Sequence, residues 1–194
     1  MKFEIFNFDT VTSTNDVAID MIIKKKNETG YVYSKTQTKG KGTRGKCWVS
    51  RRGNLFGSIF FPLAKDYPSF NEFALINPII ISDVIKKFCK DCKINIKWPN
   101  DIFVNGKKVC GILQEVITSN AKKFLIIGIG INIVSNPSIN KKYKATNILS
   151  ETKRTTSVNE VVSLIILSYE KFFNNLSSYD YKDFKKKAEI MSLN

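Results

Sequence analysis

The dipeptide Asn105-Gly106 constrains this chain more than any other pair of residues. It separates two apolar runs, 101–104 and 108–117. A two-residue turn needs positive φ at its centre, and Asn-Gly tolerates that conformation best. The runs are therefore expected to be antiparallel neighbours in a sheet. Residues 2–8, 31–37, 54–61, 94–98 and 124–133 are likewise short, apolar and bounded by turn formers, and read as further strands.

Three segments carry helical spacing instead. Residues 158–176 place Val158, Val161, Val162, Ile165, Tyr169, Phe172, Phe173 and Leu176 on one face. Residues 70–88 are periodic too, with Pro78 expected to start, kink or interrupt the helix. In TSTNDVAIDMIIKKK (12–26), Val17, Met21 and Ile22 share a face, and Ser13 or Thr14 is the expected N-cap. Ser13 with Asp16 three residues later resembles the start of a capping box. A short basic helix ends the chain. Hairpins flanked by helices predict an α+β domain over residues 1–194, its mainly antiparallel mixed sheet covered by helices on one face.

The 194 residues include no histidine, which removes histidine triads, histidine-ligated zinc and a histidine general base. Chemistry must run on lysine, arginine, carboxylates and backbone amides. Four cysteines are scattered, and Cys89-Lys-Asp-Cys92 lacks a second pair or a histidine to complete a zinc site. No metal ligands are assigned. No apolar run reaches the roughly 20 residues of a membrane span, and MKFEIFNFDT lacks the apolar core of a signal peptide. A cytoplasmic protein with reduced thiols and no membrane partner is expected. The net charge of +14 would attract nucleic acid or acidic partners. Lysines are spread along the whole chain, however, and the runs Lys24–Lys26 and Lys185–Lys187 fall near helix ends, where they read as solvated faces.

Three segments carry candidate chemistry. Gly40 to Cys47 nearly spells the phosphate loop G-x-x-x-x-G-K-[ST], but Cys47 cannot supply the hydroxyl that binds magnesium, and a strand follows where a helix should. What remains is a loop whose glycines let backbone amides approach an anion, with Lys41, Arg44 and Lys46 adding charge. Trp48 is placed either to stack on a purine or to plug the core. GIGIN (128–132) puts two glycines in an apolar strand, a sign of close approach or of a bulge, and ends in Asn132, which needs a partner. In the hairpin, Lys97, Asn100 and Asp101 bracket Pro99, while Lys108 and Gly111 lie beyond the turn. Two lysines with a carboxylate between them suit the binding and activation of an anion.

In order along the chain, these segments resemble the biotin protein ligases. Lys97–Asp101 matches that family's K-W-P-N-D, and Gly106–Glu115 its G-x-K-[LV]-x-G-I-L-x-E strand. STND (13–16), QTKGKGTRGKCW (37–48) and GIGINI (128–133) match three more motifs. The resemblance implies the catalytic-domain fold that these ligases share with class II aminoacyl-tRNA synthetases. It also implies a two-step reaction with ATP and biotin as substrates and Mg2+ accompanying ATP. Biotin becomes biotinyl-5′-AMP, and the biotinyl group then passes to a lysine of a biotin carboxyl carrier domain.

By that resemblance Ser13, Thr14, Asn15 and Gln37 hold the ureido end of biotin. Gly40, Lys41, Gly42 and Thr43 close over it, with Lys108 and Gly111 beside the carboxylate. Lys41, Arg44, Lys46, Trp48, Asn100 and Asn132 surround the adenylate. Lys97, Lys108, Arg44 and Asp101 are the catalytic candidates, Asp101 orienting the acceptor amine. The chain departs from the G-R-G-R pattern at Thr43, which predicts a looser hold on the adenylate. A DNA-binding domain and a small C-terminal β domain known from relatives are expected to be absent, and specific DNA binding with them; a homodimer stays open. A lipoate or octanoate ligase or transferase of the same fold, a ligase-like protein that binds biotin without catalysis, and a basic nucleic-acid-binding module are the alternatives.

Overall fold

The computed structural model describes residues 1–137 and 144–193. Seven strands form one sheet: β1 (Glu4–Val11), β2 (Gly30–Gln37), β3 (Leu55–Pro62), β4 (Ile94–Lys97), β5 (Asp101–Val104), β6 (Lys107–Ser119) and β7 (Lys122–Ile131). Their spatial order is β1-β2-β3-β7-β6-β5-β4. The β1–β2 pair is parallel and the other pairs antiparallel, which makes the sheet mixed and mainly antiparallel, as expected. Asn105 and Gly106 take φ of 49° and 74° and form the two-residue turn between β5 and β6.

Strand alternation divides the apolar side chains between two faces. Leu55, Ile59 and Phe61 of β3 and Leu125, Ile127 and Ile129 of β7 turn toward helices α2 (Phe70–Phe88) and α4 (Val158–Asn174). In this main core Phe61 packs 5.3 Å from Phe73 and 4.7 Å from Phe173, ring centre to ring centre. Burial of each such ring contributes roughly 1.5–3 kcal/mol. Val32, Phe60, Phe124 and Ile126 face the other way, against Ala18 and Ile22 of α1 (Thr14–Ile23). The expected helical cover of one face is thus supplied by α2 and α4, while α1 crosses the opposite face. The short α3 (Ile148–Thr152) and the basic α5 (Tyr181–Met191) complete the helices. Among the described residues no helix is long and apolar enough to cross a membrane.

Two local readings change. Helix α2 runs through Pro78 without a break, because its neighbours Asn77 and Ile79 are buried and packing outweighs one lost backbone bond. Its start is a full capping box, Ser69 with Glu72. Helix α1 does begin after Ser13, but the Ser13 side chain caps nothing and no capping box forms there. Asp16 is instead engaged by Lys41.

Candidate active site

On the α1 face, the residues of β7 that point outward read Phe124, Ile126, Gly128, Gly130. The first two pack under α1, and the two glycines leave a bare floor. A Cβ on Gly128 would come within 2.4 Å of Asn15 Oδ1, and one on Gly130 within 2.4 Å of Trp48 Cε2. Gly111, paired with Gly130 across β6 and β7, would meet the same indole at 2.7 Å. The glycines are therefore close-approach positions, for Asn15 on one side and Trp48 on the other. Above this floor opens a cleft of about 280 Å³.

The N-terminus of α1 supplies one wall. Thr14 donates to Gln37 Oε1 through its backbone nitrogen at 2.8 Å and through Oγ1 at 3.2 Å. Ser58 Oγ lies 2.7 Å from Thr14 Oγ1 and 2.5 Å from Asn15 Oδ1. Asn15 Nδ2 donates to Glu115 at 2.6 Å, and Gln37 Nε2 to Ser50 Oγ at 3.0 Å. Ser13, Thr14 and Asn15 are nearly inaccessible to solvent, so polar atoms they do not commit to Gln37, Ser58 and Glu115 face the protein interior or a molecule inside the cleft.

The glycine-rich loop forms the lid. Lys41 bridges antiparallel to Cys47, and Arg44 takes φ of 57° next to Gly45 at 72°. Lys41 is paired with Asp16, and that bond, opposed by partial burial, holds its ammonium above the ordinary lysine value. Lys41, Gly42, Thr43, Lys46, Cys47 and Trp48 line the cleft; Arg44 does not.

The hairpin closes the far side. Lys108 Nζ lies 2.6 Å from Asp101 Oδ1 and 5.4 Å from the centre of the Trp48 ring. The Asn100 and Ile112 main chains pair, with Ile112 N donating to Asn100 O at 2.8 Å. Asn100, Asp101, Lys108 and Gly111 all line the cleft, whereas Lys97 is exposed outside it. Gly40 is packed behind the lid, where a Cβ would come within 2.4 Å of Trp48 O. Asn132 lies buried below; its Nδ2 donates to Thr146 O at 3.0 Å, while its Oδ1 is buried and finds no hydrogen-bond partner among the described residues.

Most sequence-predicted residues therefore converge: Ser13, Thr14, Asn15, Gln37, Lys41, Gly42, Thr43, Lys46, Trp48, Asn100, Asp101, Lys108 and Gly111. Gly40, Arg44, Lys97 and Asn132 stand apart from the lining. Sequence reasoning passed over Ser58 and the partnership of Glu115 with Asn15. The signal for Ser58 was a lone hydroxyl in the apolar run NLFGSIFF. Among the described residues no cluster of three or more His, Cys, Asp or Glu side chains is placed to hold a metal ion.

Comparison with known proteins fits this arrangement. The profile of the biotin/lipoate A/B protein ligase family matches residues 7–132. The bifunctional ligase/repressor BirA of Escherichia coli is 33% identical over 126 residues, 63% of this chain and 38% of that protein. BirA of Bacillus subtilis is 28% identical over 192 residues, covering 95% of this chain and 58% of its own length. The chain thus spans about half the length of these curated relatives. The structure of the biotin protein ligase from Aquifex aeolicus in complex with biotin and ATP superposes with a TM-score of 0.80 at 27% identity, covering 98% of this chain and 78% of that one. With its glycine floor, basic lid and lysine-bearing hairpin in one cleft, and with the family profile matched over most of its length, the chain belongs to the biotin/lipoate A/B protein ligase family.

Proposed function

We propose that the protein is a biotin protein ligase, which activates biotin with ATP and transfers it to a lysine of a biotin carboxyl carrier domain in the cytoplasm. The observation that carries this reading is Lys108, whose ammonium stands at the junction of the polar pocket and the Trp48 face. Biotin's carboxylate and ATP's α-phosphate are both anions. Their reaction needs a cation between them and alignment, and no base. The polar wall of Ser13, Thr14, Asn15 and Gln37 takes the ureido head. The carboxylate reaches Lys108, which exchanges Asp101 for the incoming anions.

The carboxylate oxygen then attacks the α-phosphorus as the bond to pyrophosphate breaks, giving biotinyl-5′-AMP. Trp48 and Asn100 hold the adenylate, with Lys41 and Lys46 over its phosphate; Arg44 joins them when the lid closes further. Mg2+ enters with the phosphates of ATP, the usual habit of this ion. In the second step the acceptor amine attacks the acyl carbon and AMP leaves with the phosphate oxygen. Asp101, released from Lys108, orients that amine and takes its proton. Lys97 lies on the rim, where it meets the pyrophosphate or the carrier.

ATP–pyrophosphate exchange with biotin, lipoate and octanoate tests the proposal. Exchange with biotin alone is expected. Exchange with lipoate or octanoate alone assigns the chain to the other branch of its family, and no exchange with any acid overturns catalysis by this chain.

A further inference from the structure

Asn15 is gripped by three residues to which the proposed reaction gives no role. Its side chain lies directly over Gly128, where a Cβ would come within 2.4 Å of Oδ1. Ser58 is the β3 partner of Gly128 and places Oγ 2.5 Å from that same oxygen. Glu115, on the other flanking strand, accepts from Nδ2 at 2.6 Å. A carboxylate only accepts hydrogen bonds, so it selects the NH2 end of the amide. Turning Asn15 over would set its carbonyl oxygen against Glu115. With Asn15 Oδ1 fixed as an acceptor, the single proton of the fully buried Ser58 hydroxyl is drawn to it, 2.5 Å away.

We propose that Gly128, Ser58 and Glu115 are positioning residues, a clamp that fixes the donor and acceptor polarity of Asn15. The clamp thereby selects an acid whose head carries both donors and an acceptor, a cyclic urea, over heads that carry neither. This rests on the ligase reading above and deepens it. A donor presented to a donor in a buried site leaves both unpaired, so polarity discriminates more sharply than shape does.

Glu115→Gln keeps the side chain's shape but adds a donor, so that Asn15 can take either orientation. In this variant the KM for biotin is expected to rise about tenfold, while kcat and the KM for ATP stay within about twofold. The preference for biotin over lipoate is expected to narrow by a similar factor. Ser58→Ala should reproduce the effect; should that buried variant not fold, Glu115→Gln carries the test. An unchanged KM for biotin, or kcat and the KM for ATP shifting along with it, overturns the clamp. A ligand-free measurement separates this failure from that of the ligase reading. The Asn15 side-chain NH2 protons should be protected from exchange in the wild type and exchange about tenfold faster in Glu115→Gln. Equal exchange in the two proteins overturns the clamp, whereas protection in a protein that binds no biotin overturns the ligase reading and with it the clamp's proposed selectivity.

Discussion

Lys108 reaches Asp101, at 2.6 Å, because β6 carries one residue more than β5 opposite it. Phe103 pairs with Lys108 and Ile102 with Cys110, so Val109 is the extra residue of a β-bulge. Val109 and Cys110 both turn into the main core. Lys108 is thereby brought to the same face as Gly111 and Asp101. Replacing Lys108 with methionine removes the ammonium that the proposed reaction sets between the carboxylate and the α-phosphate. The expected result is a fall in kcat for adenylate formation of about a hundredfold, the scale of losing one preorganised electrostatic contact. The KM for biotin should change far less, and pre-steady-state formation of pyrophosphate measures both.

Trp48 rests on Gly130 and Gly111, neither of which has a positive φ. Alanine at Gly130 is therefore tolerated by the backbone and conflicts only with the indole. Gly130→Ala is expected to fold with a melting temperature near that of the wild type and to bind ATP at least about tenfold more weakly, a loss of the order of one stacking contact. Titration with ATP, followed by calorimetry, checks this. Unchanged affinity would remove Trp48 from the proposed adenylate site.

Thr43 lines the cleft, at the position where the resemblance to biotin protein ligases leads one to expect a second basic residue. An arginine there would add a charge-assisted hydrogen bond worth about 1.5–3 kcal/mol. Thr43→Arg is expected to slow release of the adenylate by about tenfold or more. Rapid filtration of protein loaded with radiolabelled adenylate measures that rate, and equal rates would show that Thr43 does not set retention.

Glu151 ties α3 to the hairpin, accepting from Thr146 at 2.6 Å, Asn105 at 2.8 Å and Lys107 at 3.0 Å. Burial pushes its carboxyl up, but these bonds outweigh burial and hold it below the ordinary 4.5. A depressed folded value contributes stability that is present above 4.5 and is lost as pH falls through the folded value. Glu151→Gln should therefore cost about 1–2 kcal/mol near pH 7 and progressively less below pH 4.5. Urea denaturation of both proteins from pH 3 to 7 tests this, and a difference independent of pH would contradict it.

Much of this architecture is legible along the chain because its signals are local. The Asn105-Gly106 turn, the alternating strands and the three-and-four spacing of α4 each depend on neighbours within a few residues, and each was found where it was read. The capping box at Ser69 was legible too, as Ser-x-x-Glu before an apolar run, and it was passed over. The site was legible as residue types. Glycines in an apolar strand announced close approach, and a lysine, a carboxylate and an aromatic on one hairpin announced an anion.

Other features arise only when distant segments meet. Sequence spacing sets Lys108 and Gly111 three apart, which in a regular strand points them to opposite faces; the bulge at Val109 reverses this. Ser13 and Asp16 spell a capping box, yet the lid, 25 residues on, claims Asp16 through Lys41. That Gly128 serves Asn15 while Gly130 serves Trp48 depends on contacts across more than 80 residues of chain. The sequence by itself determined the strands, the turn and the chemical types in the cleft, because hydrophobic period and backbone preference act locally. The tertiary structure alone decided which side chains share a face and which polar atoms pair, because register, bulges and the crossing of α1 over the sheet are settled by packing between segments far apart in the chain.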